Sequence, residues 1–170
     1  MKIAICYYSM SENTQYAATE IARKIKENAK EQTTVDLIRI FPKKAYNDKG
    51  LMKFLWGGRS ALMAETPELN PYDFKASDYD IILLGSPVWA RTFAPPLRTF
   101  INENPEIAKK PVAVFFCQGG SGGDKALDKL KEALGVSTLK AQMVLNDPKD
   151  KPTAENEASV ERFAAQICAD

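Results

Sequence analysis

Two uninterrupted apolar segments restrict the possible folds of this chain more than any other feature. Residues 81–84 and 111–117 contain no charged side chain, and each segment is too short to be an ordinary helix. Strands of a parallel sheet are covered on both faces and therefore have this continuous apolar pattern. The two segments are thus predicted to be central strands of a parallel sheet.

Strand-type and helix-type segments alternate along the rest of the chain. Further strands are predicted at residues 2–7, 33–41 and 138–145, and helices at residues 13–28, at 50–63, after Ala94, around Leu127 and after the capping residue Thr153. The charged residues in the second strand indicate an edge position. This order predicts one α/β domain, residues 1–170, with a doubly wound five-stranded parallel sheet and helices on both faces.

The loop between the first strand and the first helix is rich in polar side chains. Ser9, Ser11, Asn13 and Thr14 fall within six positions. Together with the free N–H groups and the positive dipole of a helix start, they suit a terminal phosphate. The alternative is a simple helix cap, which needs only one such residue.

Three loops are expected at the carboxyl ends of the central strands, where ligands of such folds bind. Residues 8–14 would form the phosphate cradle. Residues 86–93 contain Trp89, a large aromatic side chain, and residues 117–123 are rich in glycine, so their backbone can approach a flat ligand closely.

Composition excludes several classes of function. The chain has no histidine, which removes His-dependent nucleophilic catalysis, His-based zinc sites and the usual proton shuttle, so an enzyme of this sequence would rely on a cofactor. A net charge of +1 gives no bulk attraction to nucleic acid. The apolar runs are too short for a membrane span. Three unevenly placed cysteines and an N-terminus unlike a secretory signal predict a cytoplasmic protein. No metal site is expected.

Known phosphate-binding motifs are also absent. Neither G-x-x-x-x-G-K-[ST] nor a G-x-G-x-x-G after the first strand is present. Tyr8 and Gly85 stand where a receiver domain needs acidic residues. Cys6 lies inside the first strand, whereas a small tyrosine phosphatase needs a cysteine that opens the loop. A mononucleotide with a planar ring remains as the ligand class.

The chain resembles the flavodoxin family. The segments that carry the resemblance are Tyr8-Ser9-x-Ser11-x-Asn13-Thr14, residues 77–82, Gly85-Ser86-Pro87-Val88-Trp89, residues 95–100 and the glycine-rich residues 119–123. They span most of the chain except the region around residues 42–70. The resemblance implies a flavodoxin-like fold of the short-chain type.

The resemblance also implies bound FMN and three groups of binding residues. The phosphate would be held by Ser9, Met10, Ser11, Glu12, Asn13 and Thr14. The ribityl chain and ring would be lined by Ser86, Pro87, Val88, Trp89 and Ala90, with Trp89 packed against the isoalloxazine. Backbone groups for the pyrimidine end would come from Cys117, Gly119, Gly120 and Gly122. No catalytic residue is predicted.

Three positions depart from the family pattern. Glu12 stands where glycine is usual, and a carboxylate there would weaken phosphate binding unless it points to solvent. Arg91 stands where a glycine normally helps to stabilise the one-electron reduced flavin. The loop at residues 118–123 has no aromatic side chain, and the chain lacks the strong acidity of many electron carriers.

The expected function is electron transfer through FMN between a reductase and a partner protein or a small acceptor. The alternative is an NAD(P)H- or quinone-dependent oxidoreductase whose open ring face receives a small substrate. A relative that binds no flavin and acts as an interaction module is the third possibility. The basic stretch at residues 43–59 is either a docking face for a redox partner or a solvated surface. The sequence leaves the oligomeric state open.

Overall fold

The computed structural model describes residues 1–29, 32–46 and 64–169. The helix predicted at residues 50–63 lies outside these ranges, as does most of the basic stretch at residues 43–59. The strands are β1 (Lys2–Tyr7), β2 (Thr34–Arg39), β3 (Ile81–Trp89), β4 (Thr92–Phe93), β5 (Val112–Gln118) and β6 (Ala141–Asn146). The α-helices described are α1 (Asn13–Asn28), α2 (Pro95–Glu103), α3 (Gly123–Leu134) and α4 (Ala154–Cys168).

The main sheet has the strand order β2-β1-β3-β5-β6, and all neighbouring strands in this order are parallel. Ile5 of β1 is paired with Leu37 on one side and with Leu83 on the other. The chain first moves outward from β1 to β2 and then crosses to β3 on the opposite side of β1. This change of direction places the topological switch point between β1 and β3 and confirms the doubly wound fold.

Two apolar layers cover the two faces of the sheet. Alternate residues of a strand point to opposite faces, so Leu83 packs in the layer beneath α1 and α4, whereas Leu84 packs in the layer beneath α2 and α3. Ile21 and Phe163 fill the first layer, and Phe100 is completely buried in the second. The predicted helices on both faces are therefore confirmed.

The predicted loop at residues 86–93 is the main correction. β3 continues through Ser86 to Trp89, and the short antiparallel strand β4 folds back on it, with Val88 opposite Phe93. Ala90 and Arg91 form the connection with φ values of 48° and 62°, the left-handed geometry of a type I′ hairpin turn. This hairpin was not predicted from the sequence, because the segment contains Pro87 and lacks the Asn-Gly or Asp-Gly pair that is typical of such turns.

Other local predictions agree with the structure. β2 occupies an edge of the sheet, as its charged residues indicated. Thr153 caps α4, because its hydroxyl accepts a 3.1 Å hydrogen bond from the Asn156 backbone N–H. Within residues 1–29, 32–46 and 64–169, no helix has the length and apolar character that a membrane span requires.

Candidate cofactor-binding site

The carboxyl ends of β1, β3 and β5 meet at one edge of the sheet. Tyr7 pairs with Gly85, Pro87 pairs with Cys117, and the Tyr8 N–H donates a 3.1 Å hydrogen bond to the Gly85 carbonyl. The three segments predicted to bind the ligand therefore begin at neighbouring positions of the sheet.

Side-chain contacts connect these three segments pairwise. The ring centroids of Tyr8 and Trp89 are 5.7 Å apart. A Cβ placed on Gly122 would lie 2.8 Å from Cγ of Arg91, so the third segment packs directly on the hairpin turn. The Thr14 side chain interacts with the Cys117 thiol. The structure thus brings the predicted site segments together around the switch point.

The first segment presents a row of backbone donors. Among the hydrogen bonds of the described residues, none is donated by a backbone N–H group of residues 10–14. These groups include the free N–H groups that begin α1, where the helix dipole favours an anion. Two buried hydroxyl residues, Ser9 and Thr14, are 5% and 1% exposed and flank this row. The segment therefore has the donor set of a phosphate site.

Ser9 and Ser11 have different surroundings. The Ser9 hydroxyl oxygen accepts a 3.2 Å hydrogen bond from the Gln15 N–H, which leaves its own proton available for donation. Ser11 is exposed, and Met10 is half-buried. Ser9 therefore shapes the loop and can also donate to a ligand, whereas the Ser11 side chain has no hydrogen bond with the parts of the chain that the structure describes.

Glu12 adopts the left-handed conformation with φ of 65°, which explains why glycine suits this position. Its carboxylate is exposed and forms an ion pair with Lys149 on the segment between β6 and α4. The hydrogen bond from Lys149 lowers the pKa of the Glu12 carboxyl below its usual range. The negative charge is thus paired with a cation, which reduces its repulsion of an anion at the neighbouring N–H groups.

Asn13 holds the same distant segment with its side chain. Its Nδ2 donates a 2.8 Å hydrogen bond to the Asp150 carboxylate, and its Oδ1 accepts a 2.9 Å hydrogen bond from the Lys149 N–H. The backbone N–H of Asn13 remains available to a phosphate, while the side chain is committed to this packing. Sequence reasoning missed the role of residues 149–150, because no local pattern indicates a partner so far away in the chain.

Ser86 supports the second segment from inside the protein. It is completely buried, and its hydroxyl accepts a 2.9 Å hydrogen bond from the Ala94 N–H and donates one of 2.9 Å to the Pro87 carbonyl. These bonds fasten the two ends of the β3–β4 hairpin. Pro87, Val88 and Trp89 are half-buried and Ala90 is exposed, so these residues offer the accessible surface of the segment.

Trp89 belongs to an aromatic cluster formed with Tyr8 and Tyr46. Its ring centroid lies 5.7 Å from that of Tyr8 and 5.2 Å from that of Tyr46, both in edge-on geometry. Burial raises the pKa of the Tyr8 hydroxyl, so this side chain is uncharged at neutral pH. The cluster provides apolar surface for a planar ring. Tyr46 was absent from the predicted site residues.

The third segment has a buried start and an open end. Burial raises the pKa of the Cys117 thiol to about 12, although the neighbouring Thr14 side chain acts in the opposite direction. Gly119 and Gly120 are exposed, and a Cβ on Gly120 would have no atom within 4 Å. The glycine backbone is therefore accessible, whereas the Cys117 side chain is part of the core.

Arg39 is a further residue at this site that sequence reasoning missed. It is the last residue of β2, and its Nη2 donates a 3.1 Å hydrogen bond to the Ser9 carbonyl. Its Nη1 donates to the Gln15 side chain. The available signal was its position, because β2 is parallel to β1 and their carboxyl ends lie side by side.

The fold belongs to the doubly wound α/β class, and the three converging segments lie at its switch point, where ligands of such folds bind. The model of the flavodoxin family matches residues 2–160, and the chain belongs to this family. No curated protein matches the chain.

Solved structures with the same fold include three informative neighbours. A putative flavoprotein from Bacteroides eggerthii has a TM-score of 0.74 and 20% identity, covering 99% of both chains. A flavoprotein from Lactobacillus acidophilus in complex with FMN has a TM-score of 0.72 and 20% identity, covering 96% of this chain and 98% of the other. The flavodoxin of Megasphaera elsdenii has a TM-score of 0.58 and 21% identity, covering 96% and 98%. At these identities the neighbours show the fold of the chain, which agrees with its membership of the flavodoxin family.

Proposed function

We propose that this protein is an FMN-binding electron carrier that transfers electrons between a reductase and a partner protein. The observation that carries the proposal is the row of free N–H groups at residues 10–14, flanked by the buried hydroxyls of Ser9 and Thr14 at the switch point. In a chain of the flavodoxin family, this row would hold the FMN phosphate.

The other segments supply the remaining features that FMN needs. The aromatic surface of Trp89 and Tyr8 suits the isoalloxazine ring, and the accessible backbone of Gly119 and Gly120 suits its polar edge. When bound, FMN supplies reversible one- and two-electron reduction. The three segments would bind and orient the cofactor.

The titratable groups at the site favour a carrier over an acid–base enzyme. Raised pKa values keep Tyr8 and the Cys117 thiol protonated at neutral pH, and Glu12 is ionised and paired with Lys149. The chain has no histidine. None of these groups is therefore poised to exchange a proton with a substrate near neutral pH.

Titration of the apoprotein with FMN and with riboflavin tests the cofactor assignment. FMN is expected to bind in a one-to-one complex and more tightly than riboflavin by at least about tenfold, because even one charge-assisted hydrogen bond to the phosphate contributes about 1.5–3 kcal/mol. Isothermal calorimetry measures both affinities directly. Equal or tighter binding of riboflavin would contradict the phosphate assignment.

A second candidate, an NAD(P)H- or quinone-dependent oxidoreductase, is favoured by one observation. The exposed Gly119 and Gly120 belong to a segment without an aromatic side chain, so the segment itself places no ring over the flavin. A nicotinamide or quinone ring could then reach the flavin directly.

Stopped-flow mixing of the FMN-loaded protein with NADH or NADPH separates the two candidates. For a carrier, we expect reduction no faster than that of free FMN at the same concentration, and fast reduction only after a flavodoxin reductase is added. Direct reduction by either nucleotide, far faster than the free-FMN control, would establish the oxidoreductase instead.

A further inference from the structure

Arg39 connects the edge strand β2 to the segment that precedes α1. Its guanidinium bridges that segment and the first turn of α1, because Nη2 donates to the Ser9 carbonyl at 3.1 Å and Nη1 donates to the Gln15 side chain. The Gln15 N–H in turn donates to the Ser9 hydroxyl at 3.2 Å. Arg39 therefore braces the two sides of the row of free N–H groups at residues 10–14.

The charge of Arg39 is not neutralised by an acidic side chain in the described parts of the chain. None of the ion pairs found there includes Arg39, and its Nε is buried without a hydrogen-bond partner. The two neighbouring carboxylates have other partners: Glu12 pairs with Lys149, and Asp150 accepts a hydrogen bond from Asn13. The guanidinium also lies over the Phe41 ring, with Cζ 4.8 Å from the ring centroid, so an aromatic face partly offsets the cost of burying this charge. An anion bound at the site would supply the counter-charge.

The field of this charge extends over the site. Burial raises the pKa values of Tyr7 and Tyr8, and the Arg39 charge opposes that rise. At Glu12, the Arg39 charge adds to the larger effect of Lys149 in lowering the carboxyl pKa. Residues at the start and in the middle of the phosphate segment therefore both experience the Arg39 cation.

We propose that Arg39 is a positioning residue that makes the site selective for a phosphate monoester dianion over an uncharged ligand with the same ring. It holds Ser9 and Gln15 so that the free N–H groups converge, and it provides the positive charge that an incoming dianion neutralises. This inference rests on the proposed binding of FMN, and it adds a residue and a physical basis for selectivity.

The two roles of Arg39 have different chemical requirements. Holding two acceptors at once requires the two N–H donor groups of a planar guanidinium, whereas the electrostatic role requires only a cation. Arg39→Lys keeps the charge and loses the paired donors, and Arg39→Gln loses both. Arg162→Gln is a matched control, because Arg162 is an exposed residue of α4 whose guanidinium donates to the Ser159 hydroxyl.

The test compares FMN and riboflavin affinities of the full-length apoprotein and these variants at low and at moderate salt. For Arg39→Gln we expect FMN affinity to fall on the order of ten- to one-hundred-fold, with much less change for riboflavin and a weaker salt dependence. Arg39→Lys should retain part of the preference for FMN, and Arg162→Gln should behave as wild type. Thermal unfolding of each apoprotein checks that the variants are folded.

The possible failures are distinguishable. If wild-type protein does not prefer FMN over riboflavin, the proposed function itself is wrong. If wild-type protein prefers FMN and folded Arg39→Gln keeps the same preference, only the role of Arg39 is wrong. An equal loss of affinity for both ligands would also overturn the inference, because it would show a general effect on site structure. If Arg39→Gln does not fold, a partly retained preference for FMN in folded Arg39→Lys would support both roles. A full wild-type preference in Arg39→Lys would overturn the positioning role, and complete loss of the preference would overturn the charge role.

Discussion

Removing the hydroxyl groups of Ser11 and Thr14 together is expected to weaken FMN binding by about 10²- to 10⁴-fold. Each hydroxyl would donate a charge-assisted hydrogen bond to the phosphate, and such bonds contribute about 1.5–3 kcal/mol each. Riboflavin lacks the phosphate, so its affinity should change little. Thr14 is 1% exposed, and Thr14→Val keeps its shape, so the variant Ser11→Ala/Thr14→Val avoids a buried cavity.

Calorimetric titration of this variant with both ligands provides the measurement. Thr19→Val is the matched control, because the Thr19 hydroxyl lies on the same helix and donates to the Gln15 carbonyl at 3.0 Å, away from the free N–H groups. The control should bind FMN as the wild type does. A variant whose FMN and riboflavin affinities fall by the same factor would show that these hydroxyls support the fold instead of the phosphate.

Replacement of Gly85 by alanine is expected to destabilise the protein by about 1–3 kcal/mol or more, the usual cost of overpacking a core. A Cβ at this position would lie 2.2 Å from Cζ of the Phe115 ring. Phe115 is completely buried on the neighbouring strand, so the ring has little room to move. Gly85 is also the last residue of β3 that pairs with β1, opposite Tyr7, and its displacement would disturb the site edge.

Urea unfolding of the apoprotein measures this loss, because changes in FMN affinity do not enter without the ligand. Gly120→Ala is the control and should leave stability nearly unchanged, because its Cβ would meet no atom within 4 Å. A double-mutant cycle with Phe115→Leu tests the cause. Replacing Phe115 should reduce the free energy of unfolding less in the Gly85→Ala background than in the wild type. Independent, additive effects would show that the clash with Phe115 is not the reason for the loss.

The sheet and its helices were predictable because their signals are local. Continuous apolar segments indicated the central strands, and helical spacing of Ala and Ile residues predicted α1 with the bounds that the structure has. Thr153 was recognisable as a cap from its neighbours alone. The predicted convergence of three segments followed from the strand order, since parallel strands end at the same edge of a sheet.

The details that decide the chemistry of the site depend on residues far apart in the chain. Glu12 pairs with Lys149 across 137 positions, and Arg39 reaches the Ser9 carbonyl across 30. The hairpin after β3 forms despite Pro87, because Ser86 fastens it to Ala94 from within the core. Sequence patterns report the periodicity and burial of neighbouring residues. Which charges meet, and which donors remain free for a ligand, is determined only when the tertiary structure brings those residues together.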